Sequence, residues 1–112
     1  MTINDYSFGR IVIDGKTYAS DVIVFPERIM NWWRQTGHSV AAVDLEEIMP
    51  DRPEVLIVGT GAYGAVDIPP ETRDYVATRK IEMIALPTAE ACDRYNQLKE
   101  RRRVVAALHL TC

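Results

Sequence analysis

Three features of the sequence predict an α/β fold built on a mixed β-sheet. First, residues 55–58, 81–85 and 104–110 are apolar runs of strand length, interrupted only by Glu82 and His109. Second, two segments of helical character, each opened by proline or threonine, separate those runs. The resulting order of strand, helix, strand, helix, strand suits crossover units between parallel strands. Third, the first half carries Asp14-Gly15, a two-residue hairpin signal, because glycine accepts the positive φ of a primed turn. An N-terminal β-hairpin region packed on one side of the sheet follows. The chain of 112 residues is read as one domain, 1–112, long enough to bury a real core.

Taken in order, the hairpin strands occupy residues 8–13 and 16–19. Residues 22–25 form a short apolar strand stopped by Pro26. Residues 27–37 fit neither period cleanly, although Ile29, Met30, Trp32 and Trp33 are apolar. Residues 39–42 read as another short strand. Asp44 offers a helix N-cap, and Glu47 completes a capping-box pattern; that helix must end by Pro50. Residues 55–58 are apolar at every position, as in a strand covered on both faces.

Pro70 suits a first helical turn, with Glu71 and Asp74 near its positive end. Thr72, Tyr75, Val76 and Arg79 share one face of that helix. Residues 81–85 are the next buried strand. Thr88 is expected to cap a long helix reaching Arg101, with Ala91, Cys92, Tyr95 and Leu98 as its inward stripe. Glu90 and Arg94 pair on the outside. Residues 104–110 close the sheet.

Composition narrows the function classes. Apolar residues make up 47% and charged residues 26%, ordinary for a globular domain. The net charge of −3 gives no global attraction to nucleic acid or anionic lipid. Arg101-Arg102-Arg103 reads as a solvated helix end. No signal-peptide pattern or membrane-length apolar run is present, so a cytoplasmic protein without membrane insertion is expected. Cys92 and Cys112 lack metal or redox spacing and read as free thiols.

Residues 59–64 spell G-x-G-x-x-G after an apolar strand. In a dinucleotide site those glycines close a turn directly into a helix, and an acidic residue about 20 positions on holds the ribose. Here residues 65–68 intervene before Pro69-Pro70, and Leu86-Pro87 stands where the acidic partner is wanted. No nicotinamide or flavin cofactor is therefore expected. Gly61 and Gly64 read as backbone devices shaping a crevice rim. Thr60 is read as free of any such constraint.

The ordered residues Trp33, Gly37-His38, Asp44-Leu45, Val58-Gly59-Thr60-Gly61, Thr88 with Ala91, Tyr95-Asn96 with Leu98, and Arg102 or Arg103 resemble the small Mth-type domain family. The likeness runs from Phe8 to Leu110. It implies a three-layer α/β domain around a central mixed sheet. It implies no established catalytic activity, cofactor or substrate, and roles in assembly or protein interaction.

Candidate chemistry is sparse. A catalytic histidine needs a positioned partner, and Asp44 is a candidate to orient His38. His109, in the last strand, reads as structural or edge-exposed. Cys92 lies on the core stripe, where thiols are inert. Mid-helix Asn96 has no propensity reason to be there and reads as a tie from helix to loop. Arg103 suits a carboxylate or anion. The candidate crevice thus comprises Gly59, Thr60, Gly61, Tyr63, His38, Asn96 and Arg103. Trp32 and Trp33 are either core or an exposed partner anchor. The expected function is association with a protein partner. A small-molecule binder or weak enzyme using the crevice at the Gly59-Thr60-Gly61 loop is the alternative.

Overall fold

A computed structural model describes residues 1–112. Eight strands and three helices follow in the order β1 (Ile3–Ser7), β2 (Arg10–Ile13), β3 (Lys16–Tyr18), β4 (Val22–Val24), β5 (Ile29–Asn31), a 3-10 helix (Ala42–Asp51), β6 (Val55–Thr60), α1 (Pro70–Ala77), β7 (Glu82–Leu86), α2 (Thr88–Leu98) and β8 (Val104–His109). The strands make a three-stranded antiparallel sheet, β1-β2-β3, and a five-stranded mixed sheet, β5-β4-β8-β6-β7. β6 runs parallel to β7 and β8, whereas β4 runs antiparallel to β8 and β5.

The apolar runs form the middle of the mixed sheet because both faces are covered. Every residue of β6 and β8 is buried. Their side chains alternate between two separate cores. Val55, Ile57, Val104 and Ala106 pack with Ile11 and Ile13 of the small sheet and with Ala91, Cys92 and Tyr95 of α2. Leu56, Val58, Val105 and Ala107 pack with Leu45 and Ile48 of the 3-10 helix and Val76 of α1. The mixed sheet is therefore the central layer of three. The α/β class, the hairpin region and the inward stripe of α2 all agree with expectation; Leu98 is only half-buried.

Several elements differ from the sequence reading. β1 was not foreseen, because within INDYS only Ile3 is fully buried. β5 fills part of the stretch with no period. Residues 39–42 form no strand: Ser39 makes isolated bridges to Thr36 and Asp67, and Val40 is held by the Asp67 carbonyl and the Thr72 hydroxyl. Asp44 does not cap its helix. It lies in the first turn, and its carboxylate accepts from the Ala41 and Gln35 amides. The 3-10 helix runs through Pro50 rather than ending before it.

β7 is an edge strand with no fully buried residue, not a buried one, because only β6 flanks it. On α1, Thr72 and Val76 are buried, but Arg79 lies past the helix, exposed, with its guanidinium over the Tyr75 ring. Thr88 is the first residue of α2 rather than its cap, which is Pro87, and α2 stops at Leu98. The Thr88 hydroxyl has another task, described next.

Candidate functional site

The glycine loop leaves the carboxyl end of β6 and is filled by the protein itself. Gly61 has φ of +102° and Gly64 of +68°. A Cβ on Gly61 would stand 2.6 Å from the Thr111 carbonyl oxygen. A Cβ on Gly59 would stand 2.9 Å from both Leu108 Cδ2 and Thr88 Oγ1. The glycines thus allow close approach of neighbouring chain. The Gly61 amide donates to Thr88 Oγ1 (2.9 Å), and that hydroxyl donates to the His109 carbonyl (2.6 Å). The Thr88 amide in turn donates to the Gly61 carbonyl (2.9 Å). The start of α2 is thereby committed to the loop backbone. Thr60 is not free of constraint: it is buried, and its hydroxyl donates to the Leu86 carbonyl (3.0 Å).

The residues expected in one crevice lie in several places. Tyr63 is 82% exposed, and its ring meets that of Phe8 at 6.3 Å between centroids. The His38 side chain is exposed, and the Asp44 carboxylate is engaged with backbone amides instead of His38. Asn96 sits midway along α2. It accepts from the Ile3 amide (3.0 Å) and donates to the Ile3 carbonyl (2.8 Å), so it ties the helix to strand β1 rather than to a loop. Arg103 stands at the amino end of β8, away from the glycine loop. It holds Asp51 through Nη2 (2.8 Å) and through the Asp51 carbonyl (2.9 Å). Trp32 is core, 6% exposed, and its indole donates to the Asp44 carbonyl (2.9 Å). Trp33 is 84% exposed.

The cleft with convergent polar groups lies at the same end of the sheet, on the β4–β5 side of β8. Because β4 runs antiparallel to β8, Asp21 before β4 and Arg34 beyond β5 meet His109 at the end of β8. His109 Nδ1 and Arg34 Nη1 each stand 2.7 Å from Asp21 Oδ2. The Leu110 amide donates to Asp21 Oδ1 (2.9 Å). Arg34 Nη2 also stands 3.2 Å from Nδ1, but the shorter contact with the carboxylate assigns the proton of a neutral imidazole to Nδ1. Nε2 is then an acceptor, with Thr111 Oγ1 at 3.3 Å as its donor. Burial raises the Asp21 pKa, but hydrogen bonds from His109, the Leu110 amide and Arg34 outweigh it and hold the carboxyl below its ordinary value.

Ser20, Asp21, Trp33, Arg34, His109 and Thr111 are among the residues lining this cleft of about 390 Å³. Asp21 orients the imidazole, and the imidazole can accept a proton from a hydroxyl at Nε2. His109 is not edge-exposed, since β8 is the central strand and its side chain is 9% exposed. Sequence reasoning missed the cluster because its members come from three distant segments. The available signal was a polar residue ending an otherwise apolar buried strand.

A conserved hypothetical protein from Pyrococcus horikoshii OT3 has a crystal structure that superposes with a TM-score of 0.92; it is 32% identical, and all of both chains is covered. A Mth938-like domain from Bordetella pertussis shares the fold at a TM-score of 0.76 and 23% identity, over 97% of this chain and 85% of that one. The Xenopus tropicalis protein named NADH dehydrogenase [ubiquinone] 1 alpha subcomplex assembly factor 3 is 27% identical over 109 residues. That match takes in 96% of this chain but only 59% of the relative's length. A family model described as "Protein of unknown function (DUF498/DUF598)" matches residues 3–109, and the chain belongs to that family.

Proposed function

We propose that this protein acts by association with a protein partner, as one domain in an assembly-type role in the cytoplasm. The observation that carries this reading is Trp33. A tryptophan 84% exposed is unusual, and aromatic residues of this kind dominate binding energy at interfaces. Trp33 follows β5 at the strand-end face, where Tyr63 and Phe8 are also exposed. The partner is a protein that offers an apolar pocket for the indole. The relative named as an assembly factor supports the class of role. Two free cysteines, one buried and one exposed, suit a reducing compartment. No helix is long and apolar enough to cross a membrane.

Affinity capture from the native host tests the reading with parent, Trp33→Ala and Val43→Ala side by side. Val43 is an exposed apolar residue on the 3-10 helix and serves as the control. A protein retained by parent and Val43→Ala but lost with Trp33→Ala is the expected result. Identical retention by all three variants overturns it.

A further inference from the structure

We propose that the cleft between β8 and the segment after β5 is a binding site for a small organic acid with a flat apolar body. This goes beyond partner association and assigns a ligand site to residues outside the glycine loop.

Hydrogen-bond accounting sets the ligand class. The one carboxylate in the cleft, Asp21, is already held by three donors: His109 Nδ1, Arg34 Nη1 and the Leu110 amide. It has little capacity left for a ligand donor. Most donors of the wall are already committed: Thr36 to the Ser39 carbonyl, Thr111 to His109 Nε2, and Arg34 Nη1 and Nη2 to Asp21 and the Gly37 carbonyl. The Arg34 Nε is the exception, and it calls for an acceptor. The Arg34 side chain is 6% exposed, and its Nε is buried with no hydrogen-bond partner. A buried unpaired donor is rare in native proteins and marks a place where a partner is wanted. An acceptor oxygen supplies that partner, and a carboxylate supplies it with complementary charge.

Trp33 sets the body of the ligand. Its indole is exposed at the cleft, so a flat apolar group can lie against the ring while the acid points inward. The volume of about 390 Å³ is in the range of small-molecule sites. The position also fits, because ligands of open α/β sheets bind outside the carboxyl ends of strands. β8 and β6 both end here.

Benzoate is the probe, with benzamide as its neutral isostere and acetate as the acid without a ring. The purified 112-residue chain is titrated, read by tryptophan fluorescence and by thermal midpoint. The expected result is saturable binding of benzoate, about tenfold or more tighter than benzamide or acetate, a difference of about 1.4 kcal/mol or more. Thr111→Val and Trp33→Ala each weaken benzoate several-fold while keeping the parent's cooperative unfolding. No saturation by benzoate overturns the site. Equal binding of benzamide overturns the acid assignment. A peptide ending in phenylalanine that binds more tightly than benzoate overturns the free-acid source in favour of a partner's chain end. The titration needs no protein partner, so it and the docking reading fail or stand separately.

Discussion

Gly61 holds a left-handed φ and faces the Thr111 carbonyl at a distance that leaves no room for a methyl group. Gly61→Ala is expected to lower stability by about 1–3 kcal/mol through strain and displaced chain, seen as a lower urea midpoint at an unchanged slope. Asn96 is the opposite case, a polar side chain whose two bonds both go to Ile3. Asn96→Leu leaves the Ile3 amide and carbonyl unpaired and is expected to cost about 1–3 kcal/mol in the same assay. Cys92 is buried, and desolvation pushes its thiol up to about 12 from 9.0. At pH 8 iodoacetamide is therefore expected to alkylate exposed Cys112 and spare Cys92 in native protein, and to modify both in urea. Peptide mapping checks this. That Asn96 braces its helix was legible because a mid-helix asparagine violates local propensity, but its partner is strand β1 and not the expected loop; the backbone role of Gly61 was legible from the glycine pattern. The Thr60 bond to Leu86 was not, because the acceptor lies on another strand.

Between elements, the Asp21 cluster joins the start of β4, the end of β8 and the segment after β5. Asp21 has a lowered folded pKa, so its contribution is present above the unfolded value of about 3.9 and is lost as pH falls through the folded pKa. Asp21→Asn is expected to cost about 1.5–3 kcal/mol at pH 7, the scale of hydrogen bonds to a charged group. It is also expected to flatten the acid limb of stability below pH about 4. Urea midpoints across pH 3–7 decide; an acid limb as steep as the parent's sinks the argument. Elements with a strong apolar period were readable, as β6, β8 and the inward stripe of α2 show. β5 has three residues and β1 exposes most of its side chains, so neither carries a period. The cleft was not readable because Asp21 and His109 are 88 residues apart. Only the antiparallel pairing of β4 with β8 brings them together.

Across the molecule, protection should follow sheet position. Amide hydrogen exchange is expected to be slowest in β6 and β8, each paired on both sides, and faster in the edge strands β1, β3, β5 and β7. Equal rates in β7 and β8 would count against this ordering. The placement of β8 has a further consequence, for synthesis. It follows β4 and β6 in sequence yet lies between them in the sheet, and those two have no direct pairing with each other. While a ribosome still holds residues 104–109, the mixed sheet is two unjoined pieces, β5-β4 and β6-β7. The β5-β4 pair is marginal in water alone, and the edge of β6 that faces β8 is left unpaired. The mixed sheet therefore stays unclosed until β8 emerges, with the edges of β4 and β6 open to chaperones until that strand slots in.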